Sequence, residues 1–201
     1  MVVDGILYAI GLTAGGALVW YLTKPWFGLP FFALSLFCLY FFRDPDRQIP
    51  DGPVAVSPAD GKVVGIRTEA SAPSRISIFL NIFDVHVNRA PIGGTISKVE
   101  YTRGKYLVAS REVASSQNER NTVTIDGEGT SVSFAQIAGL IARRIVFYKQ
   151  TGDQIAKGER VGLIKFGSRV DVFLGPEWEI AVKPGDRVHG GSSILARRKQ
   201  A

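Results

Sequence analysis

The chain has 201 residues, a formal net charge of +6, one cysteine and two histidines. That length allows one main domain plus an extra segment. Cys38 alone excludes an internal disulfide and a multi-cysteine metal site, and His86 and His189 are too few for a histidine-rich centre, so no metal is expected. Residues 1–42 carry only Asp4 and Lys24 as charged groups, so the positive excess lies in residues 43–201. A basic domain faces nucleic acid, an anionic membrane or an acidic substrate. No basic run interleaved with aromatics and no nucleic-acid motif occurs, so nucleic acid is not an expected partner.

The N-terminus points to a membrane. Residues 5–23, GILYAIGLTAGGALVWYLT, are 19 positions without a charge. As a helix they match the roughly 30 Å hydrocarbon thickness of a bilayer. Lys24-Pro25 interrupts. Residues 26–42, WFGLPFFALSLFCLYFF, are again uncharged and rich in aromatics, with Pro30 expected to kink or delay the second helix. The pair reads as a transmembrane α-hairpin over 1–42. A signal peptide fits less well, because Asp4 and no cation precede the apolar core and a second apolar run follows. The second run is also short enough for a re-entrant or interfacial placement. Arg43 and Arg47 follow directly and predict that the domain over 43–201 lies on the cytoplasmic face.

Residues 43–50, RDPDRQIP, form a proline-bounded linker. Beyond it, short β-like runs are broken by Gly, Pro and Asp. Strands are predicted at 54–56, 62–66, 76–82, 85–88, 95–101, 122–125, 132–137 and 170–174. Residues 138–148 suit a strand or a short helix, and little other helix is expected. Gly152-Asp153-Gln154-Ile155-Ala156-Lys157-Gly158 is echoed 33 positions later by Gly185-Asp186-Arg187-Val188-His189-Gly190-Gly191. Such turn-strand units resemble those of lipoyl and biotinyl domains. The predicted fold is therefore mainly β, a sandwich or barrel with lipoyl-like repeated hairpins behind an N-terminal helical hairpin.

Four polar segments stand out, SPADGK with Asp60, FDVHVNRAP with His86, SSQNERN and QIAGLIARR. Asp60-Gly61 suits an ordinary turn. If 85–88 is a strand, Asp84, His86 and Asn88 share one face, which fits either a hydrogen-bonded structural histidine or a chemical role. SSQNERN reads equally as a solvated loop, and QIAGLIARR as an amphipathic edge with surface arginines. His189, in a repeat turn, is expected at the surface. Gly167-Ser168 follows the apolar run 161–164. Gly-Ser is common turn chemistry. It also suits a self-breaking backbone bond, since Gly167 leaves its carbonyl unhindered and Ser168 supplies an attacking hydroxyl. Elimination from the resulting ester would leave a pyruvoyl group at position 168.

FFRDP, SPADGKV, FDVHVNRAP, NERN, QIAGLIARRIV and FGSRVDVFL, in that order over 41–195, resemble the phosphatidylserine decarboxylase proenzymes, in particular their short bacterial and archaeal branch. The resemblance implies self-cleavage at Gly167–Ser168 into a β chain 1–167 and an α chain 168–201, with Ser168 becoming the pyruvoyl cofactor. It implies decarboxylation of phosphatidylserine to phosphatidylethanolamine and CO2 at the cell membrane, with anionic lipid as a partner and a homo-oligomer left open. Asp60 and His86 match catalytic positions of the larger members. Those carry Leu-Gly-Ser-Thr where this chain has Phe166-Gly167-Ser168-Arg169, and a second His where it has Arg89. His86 is thus a candidate for cleavage, decarboxylation or both. Arg89, Asn118, Arg143 and Arg144 are candidate substrate-binding residues. An archaetidylserine-type lipid is an alternative substrate. A membrane-anchored lipoyl-like carrier is the non-enzymatic alternative, but no modifiable Lys stands at a hairpin tip between Met or Asp residues. A phosphocarrier using His86 and His189 would need the two to face each other.

Overall fold

The computed structural model describes residues 2–69, 72–127, 129–140, 144–165 and 168–199. The chain divides into two compact units, residues 1–46 and 47–201. The first is a helical hairpin. Its α1 (Val3–Leu22) is long and apolar enough to cross a membrane, and α2 (Pro25–Phe41) is a shorter apolar helix. Pro25 opens α2 at a position where its missing N–H costs nothing. The helix runs on through Pro30, so that proline does not delay its start. The two helices approach closely at Gly16 and Gly28, where a Cβ on Gly28 would lie 2.8 Å from the Gly16 carbonyl oxygen. Ser35 Oγ donates to Ala9 O at 2.9 Å and bonds Thr13 Oγ1 at 2.9 Å, satisfying the polar groups inside an apolar pair.

The second unit is mainly β. In chain order it contains β1 (Val54–Val56), β2 (Gly61–Glu69), β3 (Ala72–Leu80), β4 (Val87–Arg89) and β5 (Gly94–Thr102). The one-turn α3 (Ala114–Gln117) follows, then β6 (Arg120–Gly127), β7 (Thr130–Ile137) and β8 (Arg144–Phe147). The rest is β9 (Gln154–Ile155), β10 (Arg160–Lys165), β11 (Ser168–Leu174), β12 (Trp178–Ile180), β13 (Arg187–Val188) and β14 (Ile194–Arg198). One eight-stranded antiparallel sheet runs β13-β2-β3-β11-β7-β6-β5-β9, and two three-stranded sheets run β1-β14-β12 and β4-β10-β8. Alternation decides which side chains go inside. In β6, Asn121, Val123 and Ile125 are buried while Thr122 and Thr124 are not. Ile76, Ile78, Leu80, Phe134, Val170 and Val172 close the core from neighbouring strands.

The 33-residue echo is the visible part of a pseudo-two-fold relation. Gly152 and Gly185 both take positive φ, as do Gly158 and Gly191. Ile96 N donates to Asp153 O and Val63 N to Asp186 O, each at 2.9 Å. Arg89 N donates to Pro58 O, and Val56 N to Pro91 O, again at 2.9 Å. The relation is centred on the Val172–Phe134 pair, because Val170↔Gln136 and Leu174↔Val132 exchange under it. It sets Ser168, paired with Leu80, in correspondence with Thr130, paired with Gly127. Likewise Asp60 corresponds to Gly93, and His86 to Pro53.

Gly61 is the turn that this arrangement requires. Its φ is +154°, and a Cβ there would lie 2.3 Å from Phe79 O, on the strand next to β2. Gly61→Ala is expected to cost roughly 1–3 kcal/mol through backbone strain and to lower the melting temperature. A melting curve within about 1 °C of wild type would contradict this account of the turn.

Candidate active site

Ser168 opens β11. It is fully buried, and among the described residues its Oγ has no hydrogen-bond partner. Alternation puts its side chain on the same face as Val170, Val172 and Leu174, the core face. An orphaned buried hydroxyl costs about 1–3 kcal/mol, and such an exception calls for an explanation. The strand before it, β10, ends at Lys165. Positions 166 and 167 lie outside the described residues, so the Gly167 half of the expected cleavage bond has no structural account.

His86 flanks the same end of β10. Its carbonyl accepts from Ile164 N at 3.3 Å, and β4, which starts one residue later, pairs with β10 through Val87 and Leu163. His86 is buried, with Nδ1 2.9 Å from Asp84 O. A carbonyl only accepts, so Nδ1 is the donor in this contact. The predicted strand at 85–88 is corrected here, since β4 begins at Val87 and Asp84 and His86 precede it. They do not form one strand face with Asn88. Asp84 instead closes its own turn, accepting from Asn81 N at 2.9 Å, and pairs with Arg187 at 2.8 Å. Asn88 belongs to a buried amide chain in which Asn121 Nδ2 donates to Gln136 Oε1 at 3.0 Å and Gln136 Nε2 to Asn88 Oδ1 at 2.9 Å.

Asp60 lies at the same sheet end. Val188 pairs with Gly61, the Lys62–Phe79 pair sets Gly61 level with Leu80, and Leu80 pairs with Ser168. Two strand spacings separate Gly61 from Ser168, roughly 10 Å. The Asp60 carboxylate accepts from Arg47 at 2.8 and 3.0 Å and from Gly190 N at 2.7 Å. His189 Nδ1 lies 3.4 Å from Asp60 Oδ2. His189 is exposed, as expected, but its turn also delivers it to a candidate site residue. The opposite half of the fold adds an independent observation. Pro53, Gly93, Gly127 and Thr130 line one cavity of about 150 Å³. Their counterparts are His86, Asp60, Leu80 and Ser168, which the same relation sets at equivalent places in the other half.

The four candidate substrate ligands differ in their surroundings. Arg89 is buried and donates to Gly158 O at 3.1 Å. Asn118 Nδ2 donates to Leu107 O and Ala138 O, each at 2.8 Å, and its Oδ1 accepts from Leu107 N at 3.0 Å. Its amide therefore pins a loop to the end of β7. Arg144 is exposed, opposite Lys165 in the β8–β10 ladder. Arg143 lies outside the described residues.

Sequence reasoning passed over the ionic cluster behind Ser168. Arg169 is 1% exposed, and its Nε donates to Asp171 Oδ1 at 2.6 Å. Its other nitrogens reach Ser77 Oγ at 2.5 Å, Arg111 O at 3.3 Å and Glu112 Oε2 at 3.4 Å. Ser115 Oγ donates to Asp171 Oδ2 at 2.6 Å, and Arg75 bonds Glu112. Burial alone would raise the Glu112 carboxyl, but hydrogen bonds and charges from Arg75 and Arg169 outweigh it and hold the group below the ordinary range. Its contribution is therefore present at neutral pH and is lost only as pH falls through that lowered value. The sequence signal was the Arg169-x-Asp171 pair, two charges on one face of an otherwise apolar strand.

The comparisons with known proteins point to one family. The family model for phosphatidylserine decarboxylase matches residues 34–196. The phosphatidylserine decarboxylase proenzyme of Solibacter usitatus is 65% identical over 198 residues, 98% of this chain and 97% of the relative. Proteins of the same name from Oleidesulfovibrio alaskensis and Neisseria meningitidis serogroup C are 45% and 46% identical. These matches span 95% and 86% of this chain, and 91% and 68% of the relatives.

Proposed function

The chain belongs to the phosphatidylserine decarboxylase family and is a decarboxylase of phospholipid biosynthesis, and from that premise we propose that it cuts itself at Gly167–Ser168 and uses the resulting pyruvoyl group to decarboxylate phosphatidylserine. The observation that carries this reading is the buried hydroxyl of Ser168 at the start of β11, without a partner among the described residues. Ser168 fits the group, because its own Cα and Cβ supply the keto carbon and the methyl carbon.

Cleavage follows from ordinary acyl chemistry. Ser168 Oγ attacks the carbonyl carbon of residue 167 and gives its proton to a base. The C–N bond breaks, and an ester joins the two segments. Loss of the residue 168 Cα proton expels the residue 167 carboxylate, and hydrolysis then releases ammonia and leaves a ketone at the new chain end. Asp60 and His86 are the proposed acid–base groups. The keto group supplies an electron sink for the departing CO2. His86, held in place by its Nδ1 contact with Asp84 O, is the proposed proton carrier for the decarboxylation. Arg144, exposed beside the end of β10, suits the lipid phosphate. Arg89, Arg143 and Asn118 are the other proposed head-group ligands. The apolar helix α1 suits a membrane anchor, and Arg43 and Arg47 suit a cytoplasmic placement of the catalytic unit.

Intact mass tests the reading. The purified protein should contain two polypeptides, 1–167 and 168–201, and should convert phosphatidylserine in vesicles to phosphatidylethanolamine with release of CO2. A single full-length mass in an active preparation would overturn it. Borohydride added with substrate should abolish activity, because it reduces the ketone and what forms on it. Stripping of pyridoxal phosphate or addition of a chelator should leave turnover intact. An absolute requirement for added metal or pyridoxal phosphate would contradict the covalent cofactor.

A further inference from the structure

The ionic cluster on β11 is peculiar to one half of a symmetric fold. Under the pseudo-two-fold relation Arg169 and Asp171 correspond to Ser131 and Ser133, and Arg75 and Ser77 to Thr122 and Thr124. The uncharged half is satisfied by hydroxyls, with Thr124 Oγ1 and Ser133 Oγ bonded at 2.9 Å. The fold therefore builds this sheet face without ions. Burying Arg169 and Asp171 at 1% exposure carries a desolvation cost that the other half avoids. A stability role alone does not account for them.

Their position suggests what they do. Arg169 follows Ser168 directly, and cleavage would make position 168 a chain end. Free ends fray unless tied down. The backbone ladders hold Ser168 to Leu80 and Arg169 to Ile137. The Arg169 side chain adds a tie to the loop over residues 103–119, through Arg111 O and Glu112, while Asp171 receives Ser115 from the same loop. That loop is fixed in turn by Asn118, which bonds Ala138 at the end of β7.

We infer that Arg169 and Asp171 are positioning residues, which latch the 103–119 loop onto β11 and hold the reactive end at residue 168 in register after the chain is cut. The inference rests on the proposed cut at Gly167–Ser168. A charge-assisted, multiply bonded guanidinium suits the task, since it fixes direction as well as distance.

The test grafts the uncharged half onto the charged one, as Arg169→Ser with Asp171→Ser. Wild type is first checked for the two chains, and a wild type that stays uncut defeats the proposed function rather than the latch. The double variant should fold and cleave. Hydrogen exchange of the 169–171 amides in the cut protein should accelerate at least tenfold. Turnover should fall at least tenfold with KM within about threefold. Glu112→Gln, at a half-exposed side chain, should do the same more weakly, and it decides the matter if the double variant does not fold. Normal exchange together with normal turnover in cut protein overturns the inference. So does a folded double variant that stays uncut, because the residues would then serve cleavage instead.

Discussion

Ser168→Ala is expected to give one uncut chain with no decarboxylase activity. The only hydroxyl at the proposed bond is removed, and with it the oxygen whose ester must be eliminated before Cα can become the ketone. Gel electrophoresis and a CO2-release assay on wild type and variant read both consequences. The variant should also be a well-folded protein. Ser168 is fully buried and its hydroxyl has no partner among the described residues. Replacing it with a methyl group removes a desolvation penalty and should stabilise the uncut fold by about 1 kcal/mol. Loss of cleavage alongside an unchanged or higher melting temperature separates chemistry from misfolding. A variant still split in two, or still turning over, defeats the assignment of Ser168.

Much of the fold around this candidate site was legible in the sequence because it is written in local chemistry. The β-runs around 95–101, 132–137 and 170–174 became β5, β7 and β11 with ends shifted by a few residues. The glycine-marked repeat at 152–158 and 185–191 became two related turns, each with an Asp accepting from a backbone N–H three residues earlier. What was not legible depends on pairing across the sheet. Asp84 and His86 have strand-like spacing, but a turn bonded by Asn81 and Arg187 takes Asp84 away from the strand. Glu112 and Ser115 reach β11 from more than 50 positions away, and no periodicity announces such a contact. The wider symmetry was hidden for the same reason. SPADG and APIGG, at 57–61 and 90–94, share little beyond a proline and a glycine, yet they occupy equivalent places. Asp60 stands where the other copy has Gly93, and Ser168 where it has Thr130. The acidic group and the unpartnered hydroxyl thus depart from the repeat at the end of the fold that carries the proposed chemistry.

His86→Ala is expected to impair decarboxylation more than cleavage. His86 is buried beside the end of β10, with Nδ1 held by Asp84 O. Decarboxylation needs a proton returned to carbon, and removing the group that delivers it should cost roughly 10²–10⁴ in rate. Cleavage needs a base for Ser168, and there Asp60 offers a second route. Its carboxylate is held by Arg47 and Gly190 and approached by His189, at the sheet end that also carries Ser168. Partial self-cleavage should therefore survive. The measurement is a pair of assays on one preparation, the fraction cut by gel and then turnover per cut chain. A fully cut variant with normal turnover would remove His86 from the chemistry. A wholly uncut variant would make His86 the base for Ser168, with both roles merged in one side chain and Asp60 acting only through it. Asp60→Asn on the same background separates those cases. If Asp60 is an independent base, the double variant should lose the cleavage that His86→Ala retains, whereas if it acts only through His86, the second substitution should change nothing further.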